Sequence, residues 1–456
     1  MNKKAVAVLG FGKTGQAVLE FLLAREPHAS LILFNDSEIT DKERQEHFKQ
    51  RGVRFLTGAG QFAELASCRL VIMSPGFDGQ NPRFDVLRQG GAEVISEIEY
   101  AFRQVKARII AVSGSNGKST TVSLIQHLLL ASGRKSHLAG NIGLPFIAEV
   151  VDIADGSLVV LELSSFQLEE TIRFRPSVAV LLNITPDHLD RYPSMAKYMA
   201  AKFKLFENQK RTDCMVLNAD DPLLRNSSKI GRGKTYWFSA TRAQTRGAYI
   251  KSNDLILSLG KTEETVSLRN NPLRGVHNLE NIMAAALACR EVGLTAAEIE
   301  TGLTGFRGLP HRMEEAGKVG RVEFINDSKA TNVDAALKSI TSIGGNLVVI
   351  LGGKDKGSDF SVLEKPLRER ARQVLLLGQA APLLAAQLSG LGGLLANVRD
   401  LEEAVAKGYE LLAPSGGVVL LAPACASFDM FNNFEHRGDV FKQEVLRLQL
   451  RVGKNG

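Results

Sequence analysis

Short apolar segments that end in glycine-rich loops recur along most of this 456-residue chain. They are rich in Val and Ile and lack alternating polar positions, as is typical of strands buried on both faces of a parallel sheet. Amphipathic helical segments lie between them, for example Gln16–Leu23, Thr120–Leu130 and Asn278–Val292. This order of strand, loop and helix predicts an α/β fold. The predicted strands are Ala5–Leu9, Leu31–Phe34, Leu70–Met73, Ile109–Val112, Leu158–Leu161, Val178–Leu182, Leu347–Leu351, Val374–Leu377 and Val418–Leu421.

The pattern of strand and glycine loop restarts within the chain, which predicts separate domains. One unit opens at Ala5, a second at Ile109, and a third sheet begins near Val322. The length alone favours about three domains, at roughly 150 residues each. We therefore expect domain boundaries that give residues 1–98, 99–308 and 309–456.

One stretch of the middle domain, residues 231–273, has a different pattern with many turn residues. Its short β-type pieces predict a small antiparallel patch on that domain. The pieces are Lys234–Phe238, Ala248–Ile250 and Leu255–Leu259.

The net charge of +7 is concentrated in the middle of the chain, where residues 99–308 carry 26 basic and 20 acidic side chains. A basic excess fits an anionic partner, either nucleic acid or a phosphorylated small molecule. Because the excess is small and forms no Lys/Arg block, we expect no nucleic-acid partner. The four cysteines are far apart in the sequence, which favours a reducing compartment and argues against a cysteine-rich metal site. No apolar segment reaches 18 residues, and no signal peptide is recognisable, so we expect a cytoplasmic protein without membrane insertion.

The first glycine loop, Gly10–Gly15, matches G-x-G-x-x-G between a predicted strand and a predicted helix. Asp36 follows at the end of the next strand, which completes the dinucleotide-binding fingerprint. Glycines let backbone N–H groups approach phosphate, and the helix N-terminus favours negative charge. The loop therefore suits any nucleotide diphosphate, including a UDP-sugar, or it is a tight turn that binds nothing.

The second glycine loop, Gly114–Thr120, reads G-S-N-G-K-S-T and is the stronger signal. Val112 stands where the strict P-loop pattern has its first glycine, so the match is to a shorter variant. Such a loop cradles phosphates with backbone N–H groups, while Lys118 reaches the β/γ oxygens and Ser119 or Thr120 ligates Mg²⁺. A chance glycine turn followed by a lysine is the alternative, and we predict an ATP site.

Two polar side chains follow predicted strands of the same domain. Glu162 ends the strand that starts at Leu158, and His188 lies shortly after the strand that ends at Leu182. Each alone could be a helix-capping carboxylate or an ordinary loop histidine. Downstream of a phosphate-binding lysine loop, however, they are predicted to be ligands of Mg²⁺.

Taken together, these motifs resemble the Mur ligase family, the ATP-dependent amino-acid-adding enzymes of peptidoglycan synthesis. The resemblance covers nearly the whole chain and is closest to the family member that adds D-glutamate. The segments that carry it are Gly114–Thr120, Gly140–Gly143, Leu161–Gln167, Asp187–Tyr192, His277–Asn281, Leu309–Arg312, Asn326–Asn332, Pro423–Asp429 and Phe434-Glu435.

The resemblance implies a Rossmann-like N-terminal domain for a UDP-sugar, a central P-loop-type ATPase domain and a Rossmann-like C-terminal domain for the amino acid. It implies that the first loop binds a UDP-sugar and no nicotinamide. The implied UDP-sugar residues are Gly12, Lys13, Thr14, Asp36, Ser37, Ser74, Gly76 and Asn141.

The implied reaction joins D-glutamate to UDP-N-acetylmuramoyl-L-alanine through an acyl phosphate made from ATP. Such an activity serves peptidoglycan synthesis and so cell-wall biogenesis, cell shape and cell division. The resemblance assigns two Mg²⁺ ions to Ser119, Glu162, His188 and Lys202, with Lys202 carbamylated by CO₂. Without the resemblance, Lys202 would be interpreted as a surface lysine of a helix. The implied catalytic residues are Lys118, Glu162, His188 and Lys202.

The remaining implied contacts are to the nucleotide and to the amino acid. The choice of Lys356 over the neighbouring Lys354 is open, and Pro423–Phe434 could instead be a core strand and turn. The ATP residues are Gly114, Ser115, Asn116, Gly117, Lys118, Ser119, Thr120, Asn281, Arg312 and Asp327. The D-glutamate residues are Lys329, Thr331, Lys356, Ser427, Phe428 and Phe434.

Three other classes of protein stay open from the residues themselves. A different Mur ligase or a folate polyglutamate ligase would share the central domain, although not the C-terminal patterns together. A nicotinamide oxidoreductase would leave Lys118 unexplained, and a non-enzymatic nucleotide-binding module would leave Glu162, His188 and Lys202 unexplained. We expect a monomer whose partners are its small-molecule substrates.

Overall fold

The structure is a computed structural model that describes residues 5–188, 191–227, 230–273 and 275–453. The described residues form three sheets and two compact units. The first unit comprises residues up to 270 together with 280–305, and the second comprises residues 271–279 together with those from 306 onward. No helix among the described residues is long and apolar enough to span a membrane.

The first sheet has five parallel strands in the order β3-β2-β1-β4-β5. Alternate residues of β1 enter two different core clusters, so the sheet is covered on both faces. This explains why the sequence shows a continuous apolar run there. The strands are β1 (Val6–Leu9), β2 (Leu31–Asn35), β3 (Arg54–Thr57), β4 (Leu70–Met73) and β5 (Glu93–Ser96). The α-helices of this part are α1 (Lys13–Arg25), α2 (Lys42–Gln50), α3 (Arg83–Gln89) and α4 (Glu97–Phe102).

The second sheet has nine strands in the order β14-β13-β12-β11-β10-β9-β6-β8-β7. Its strands are β6 (Arg108–Ser113), β7 (Ser136–Gly140), β8 (Leu158–Glu162), β9 (Val178–Leu181), β10 (Cys214–Asn218), β11 (Lys234–Ser239), β12 (Arg246–Lys251), β13 (Asp254–Leu259) and β14 (Glu263–Ser267). The α-helices in this stretch are α5 (Lys118–Ala131), α6 (Phe146–Glu149), α7 (Ser165–Glu169), α8 (Met195–Phe203), α9 (Pro222–Arg225), α10 (Val276–Glu291) and α11 (Ala296–Gly305).

The predicted antiparallel patch is present, but different strands form it. The pairs β12–β13 and β13–β14 are antiparallel. The piece at Lys234–Phe238 was expected to belong to this patch, but it lies in β11, which pairs parallel with both β10 and β12. The patch is therefore an extension of the central sheet, and its outermost strand, Glu263–Ser267, carries too many polar residues to be recognised from apolar runs.

The third sheet lies in the second unit and has the order β15-β16-β20-β17-β18-β19, with β15 antiparallel to β16 and the other pairs parallel. Its strands are β15 (Glu314–Val319), β16 (Val322–Asn326), β17 (Leu347–Gly352), β18 (Ala371–Leu377), β19 (Leu395–Asn397) and β20 (Gly417–Leu421). The α-helices are α12 (Val333–Ser342), α13 (Glu364–Arg370), α14 (Ala381–Gln387), α15 (Leu401–Leu412) and α16 (Phe434–Gly453).

Strand order explains how distant motifs of the middle domain meet. Strand β6 lies between β9 and β8, and all three run parallel. Their carboxyl ends therefore open at one edge of the sheet, where ligands of such sheets bind. The loop after β6, Glu162 at the end of β8 and the segment after β9 are brought together there.

Candidate functional site

The first glycine loop connects β1 to α1 with a tight turn. Gly10 has a positive φ of 93°, and a Cβ on Gly15 would lie 1.8 Å from the carbonyl oxygen of Gly10. Only glycine fits at position 15, since the loop backbone passes directly against the helix. Helix α1 begins at Lys13, so its N-terminal N–H groups face the loop.

A groove of about 410 Å³ lies over this loop. Every predicted UDP-sugar residue except Asn141 lines it. Asn35 also lines the groove, and it was missed in the sequence. Its Oδ1 accepts a hydrogen bond from the N–H of Phe11 at 3.3 Å, and its Nδ2 donates to the carbonyl oxygen of Ser37 at 2.8 Å. The lining residues are Gly10, Phe11, Gly12, Lys13, Thr14, Asn35, Asp36, Ser37, Ser74, Pro75, Gly76 and Phe77.

Asp36 is held at this groove by an arginine that the sequence did not reveal. Arg83 donates from both terminal nitrogens to the two carboxylate oxygens of Asp36, at 2.7 and 2.8 Å. The guanidinium also lies 4.6 Å from the centre of the Phe62 ring. A bidentate pair of this kind fixes both the position and the orientation of the carboxylate.

The second glycine loop connects β6 to α5, which begins at Lys118. Gly117 has a φ of 87°, and a Cβ there would lie 2.4 Å from Oδ1 of Asn281. The Lys118 ammonium group donates to the carbonyl oxygens of Gly114 and Ser115, both at 2.8 Å. The structure therefore brings Asn281 to the predicted phosphate loop, and Ser119 and Thr120 are buried in the first turn of the helix.

The segment after β9 anchors the loop through residues that were not singled out in the sequence. The N–H of Asn116 donates to Oδ1 of Asn183 at 2.8 Å, and Asn183 Nδ2 donates back to the carbonyl oxygen of Asn116 at 3.1 Å. Ser115 Oγ donates to the carbonyl oxygen of Thr185 at 2.9 Å. These reciprocal bonds fix the loop before any ligand binds.

Glu162 is nearly inaccessible to solvent at the end of β8, with a 2% exposed fraction. Its Oε1 accepts a hydrogen bond from Nδ2 of Asn141 at 2.8 Å. Its Oε2 is also buried, and no hydrogen-bond partner for it exists among the described residues. Such an oxygen has the chemistry of a ligand for a hard cation. Asn141 was expected to hold the UDP-sugar, but here it contacts Glu162 and does not line the groove.

Lys202 is on α8 and is 1% exposed, so the interpretation as a surface lysine is wrong. Its amino group donates to the carbonyl oxygen of Gly114 at 2.9 Å, the same atom that Lys118 contacts. Burial, followed by the charge of Lys118, holds the pKa of the Lys202 amine well below its ordinary value. This shift is in the direction that favours the uncharged amine.

His188 has an unusual backbone conformation for a residue other than glycine, with a φ of 55°. Its Nε2 lies 3.7 Å from Oδ2 of Asp187, and its ring centre lies 4.8 Å from that of Phe166. The next two residues of the predicted motif, 189 and 190, lie outside the described residues. Within the described ranges, no three His, Cys, Asp or Glu side chains converge as a metal cluster.

In the second unit, Arg312 and Asp327 lie close enough to interact. Asp327 is buried, and burial raises the pKa of its carboxyl group, while the charge of Arg312 opposes that shift. Ser339 Oγ donates to Asp327, and so does the N–H of Met313 at 3.2 Å. Ser339 and Met313 therefore fix the Asp327 carboxylate.

Two predicted D-glutamate residues contact each other directly. The Lys329 ammonium lies 3.7 Å from the centre of the Phe434 ring, which is a cation–π contact. Ser427 is buried, whereas the side chain of Phe428 is 69% exposed. Thr331 donates its backbone N–H to the carbonyl oxygen of Lys329 at 2.8 Å.

Both candidate lysines, Lys354 and Lys356, lie near the segment that carries Ser427. The backbone of Lys354 exchanges two hydrogen bonds with Ala426, at 2.8 and 3.0 Å. The charge of Lys356 acts on the thiol of Cys425, although burial is the main influence and raises the pKa of that thiol to about 12. The choice between the two lysines stays a prediction.

Arg437, on α16, was missed in the sequence and connects two parts of this site. It is 1% exposed, and it donates to Oγ and the carbonyl oxygen of Ser328, at 3.0 and 2.8 Å. It also donates to the carbonyl oxygen of Cys425 at 3.2 Å. An arginine in an amphipathic helix is expected at the surface, so no sequence signal marked it.

Three family models match the chain in succession. They are described as "Mur ligase MurD-like, N-terminal domain" (residues 4–96), "Mur ligase middle domain" (112–289) and "Mur ligase, glutamate ligase domain" (311–425). Each match lies inside one of the predicted domains.

Curated relatives match over almost the whole chain. UDP-N-acetylmuramoylalanine–D-glutamate ligase from Acidobacterium capsulatum is 40% identical, with 98% of this chain and 97% of the relative covered. The protein of that name from Koribacter versatilis is 39% identical, with 98% of both chains covered. Among solved structures, a pseudomurein peptide ligase type C from Methanothermus fervidus has a TM-score of 0.62 at 20% identity, covering 98% of this chain and 100% of that one. The solved structure supports the fold alone.

Proposed function

This chain belongs to the Mur ligase family, and we propose that it joins D-glutamate to UDP-N-acetylmuramoylalanine at the expense of ATP. The observation that carries the proposal is identity of about 40% to ligases of that name along nearly the full length of both chains. The arrangement of side chains around the two glycine loops gives the proposal a chemical basis.

Amide formation from a carboxylate is unfavourable in water, so the carboxylate must first gain a leaving group. In the proposed reaction, a carboxylate oxygen of the UDP-linked alanine attacks the γ-phosphorus of ATP, and ADP leaves. The amine of D-glutamate then attacks the acyl phosphate carbon, loses a proton and expels inorganic phosphate. Because each species is strongly anionic, the protein's task is positioning and charge neutralisation.

In the first unit, we assign the triphosphate to the Gly114–Thr120 loop and the N-terminus of α5, with Asn281 near the base. Lys118 would exchange its hydrogen bonds to the loop carbonyls for the β/γ-phosphate oxygens. In the second unit, nucleotide contacts are assigned to Arg312 and Asp327.

The residues around Glu162 fit Mg²⁺, because the unpartnered Oε2 of that buried carboxylate offers the hard oxygen ligand that this ion prefers. We propose that Ser119, Glu162, His188 and Lys202 hold two such ions. When bound, Mg²⁺ neutralises charge on the transferring phosphoryl group. The buried Lys202 amine also suits carbamylation, since CO₂ reacts with an uncharged amine and the product is an anion.

The groove over the first loop is assigned to the UDP-sugar, whose diphosphate would lie at the N-terminus of α1 beside Lys13. The amino acid is assigned to a separate set of residues in the second unit. A dicarboxylate needs cations and hydroxyl groups, and the set offers both. Its members are Lys329, Thr331, Lys356, Ser427, Phe428 and Phe434.

The direct test is phosphate release from ATP in the presence of UDP-N-acetylmuramoylalanine and one amino acid at a time. We expect release with D-glutamate, and none above background with L-glutamate, L-alanine or a diamino acid. Lys118→Met, which retains the length of the side chain but not its charge, should abolish phosphate release with D-glutamate. Release with L-alanine or a diamino acid but not with D-glutamate would assign the chain to another member of the family. No release with any amino acid would favour a nucleotide-binding protein without ligase activity.

We also propose that the enzyme works as a monomer in the cytoplasm, where ATP is available. Size-exclusion chromatography with light scattering tests the monomer directly. A mass near twice the 49.5 kDa of the chain would contradict it.

A further inference from the structure

Arg191 lies between two parts of the first unit that have different tasks in the proposed reaction. On one side its terminal nitrogens donate to the carbonyl oxygens of Pro75 and Phe77, at 3.2 and 2.9 Å. These carbonyls flank Gly76, and all three residues line the UDP-sugar groove. The guanidinium therefore fixes the backbone on one side of that groove.

On its other side, Arg191 is tied to the segment that carries His188. Its guanidinium carbon lies 4.2 Å from the centre of the Phe166 ring, which in turn contacts the His188 ring edge-to-face at 4.8 Å. The backbone N–H of Arg191 donates to the carbonyl oxygen of His188 at 3.0 Å. A third hydrogen bond, of 2.6 Å, joins the guanidinium to Oε2 of Glu169, whose side chain is 4% exposed.

We propose that Arg191 is a positioning residue that sets the distance between the bound nucleotide sugar and the phosphoryl-transfer site. The inference rests on the proposed function. The reacting carboxylate is attached to the sugar, whereas the phosphoryl group is held by the loop near His188. One planar guanidinium reaches both sides, and a displacement of about 1 Å between reacting groups can cost about 100-fold in rate.

The informative variant is Arg191→Lys. It keeps a positive charge opposite the buried Glu169, so it avoids the folding defect that an unpaired carboxylate would cause. A single ammonium group does not reproduce the planar fork that spans two carbonyls, a carboxylate and the Phe166 face. We expect kcat to fall about 10- to 100-fold. The KM for ATP and the Kd for ADP, measured by calorimetry, should change by less than about two-fold, because the phosphate loop is untouched.

Arg88 provides a matched control. It donates to the carbonyl oxygen of Gly79 and to Glu170 at 3.0 and 3.1 Å, and so also joins the loop after β4 to the end of α7. It lies on α3, outside the residues that line the groove. Arg88→Met should therefore keep kcat, the KM for ATP and the KM for the nucleotide sugar within about two-fold of the wild-type values.

Three outcomes would overturn the inference. The first is that the wild type is active and Arg191→Lys has the same kcat. The second is an equal loss of kcat in Arg88→Met. The third is a loss that merely parallels the fraction of unfolded protein, measured by circular dichroism at the assay temperature. A wild type that is inactive with every amino acid refutes the proposed function as well, so the two failures are distinguishable.

Discussion

Glu97 should make the stability of the first unit depend strongly on pH. Its carboxyl group is 2% exposed at the start of α4, where Oε1 accepts a hydrogen bond from the N–H of Ile147 at 2.6 Å. Oε2 has no hydrogen-bond partner among the described residues. Burial therefore raises the pKa of Glu97 from 4.5 to about 7, against the weaker effect of the backbone hydrogen bonds.

The sign follows from which state keeps the proton. Below pH 4.5 both the folded and the unfolded chain are protonated at Glu97, and its contribution to stability is fully present. As the pH rises towards 7, the unfolded chain ionises first, and folding stability falls until the folded carboxyl group also ionises. At 1.36 kcal/mol per pKa unit, the loss is roughly 3 kcal/mol.

The test is Glu97→Gln, which keeps the shape and the acceptor for Ile147 but removes the titration. Urea unfolding can be followed through the fluorescence of Trp237, the single tryptophan, which lies in the same unit. The measured quantity is the free energy of unfolding of the variant minus that of the wild type. This difference should be larger by roughly 3 kcal/mol at pH 8 than at pH 4.5.

Glu38→Gln makes the same change of charge on an exposed side chain and controls for the loss of one negative charge. The reasoning is refuted if the difference between Glu97→Gln and the wild type is the same at both pH values. It is equally refuted if the variant gains stability at the acidic pH and loses it at the basic pH.

Three further predictions concern the proposed phosphate site. Lys202→Ala should lower kcat by roughly 10²- to 10³-fold and recover in part with short-chain carboxylates, because they replace the proposed carbamate; full activity without them would contradict that role. Glu162→Gln should cost a similar factor and raise the Mg²⁺ concentration needed for half-maximal phosphate release, because the proposed carboxylate ligand is lost; an unchanged Mg²⁺ dependence would count against it. Gly117→Ala should abolish ADP binding in calorimetry and destabilise the protein by about 1–3 kcal/mol, since its Cβ would clash with Asn281 at a positive φ. Wild-type affinity for ADP in that variant would show that the loop adapts.

Most of the central strands and both glycine loops could be predicted from the sequence, because they combine continuous apolar runs with glycines at fixed positions. The buried strand β10 (Cys214–Asn218) was missed. Edge strands such as Ser136–Gly140 and Leu395–Asn397 were not predicted, since they are short and only partly buried. Apolar patterning reports burial on both faces, and an edge strand lacks that signal.

In the candidate site, too, some residues could be predicted from the sequence and others could not. Lys118 could be predicted as a phosphate contact from its spacing in the second glycine loop, whereas Lys13 was assigned to the UDP-sugar only through the family resemblance. Arg83 and Arg437 could not be predicted, because an isolated arginine on a helix has no pattern that separates it from a surface residue, and its contacts are far away in sequence. The motif around Asn141 was recognisable, but its contact with Glu162 was not, because that contact depends on the pairing of β7 with β8. Its assignment to the UDP-sugar stays a prediction.

The groove of the first unit is assembled from three separate stretches of chain, around residues 10–14, 35–37 and 74–77. Each stretch follows a different strand, so the binding surface exists only when β1, β2 and β4 are paired in register. A ligand of this groove therefore binds the folded sheet and not the unfolded chain. By mass action, UDP at 100 times its Kd would stabilise that sheet by about 2.7 kcal/mol. If the groove holds the UDP-sugar as proposed, thermal shift with UDP would measure its occupancy without any turnover, including in variants that have lost catalysis altogether.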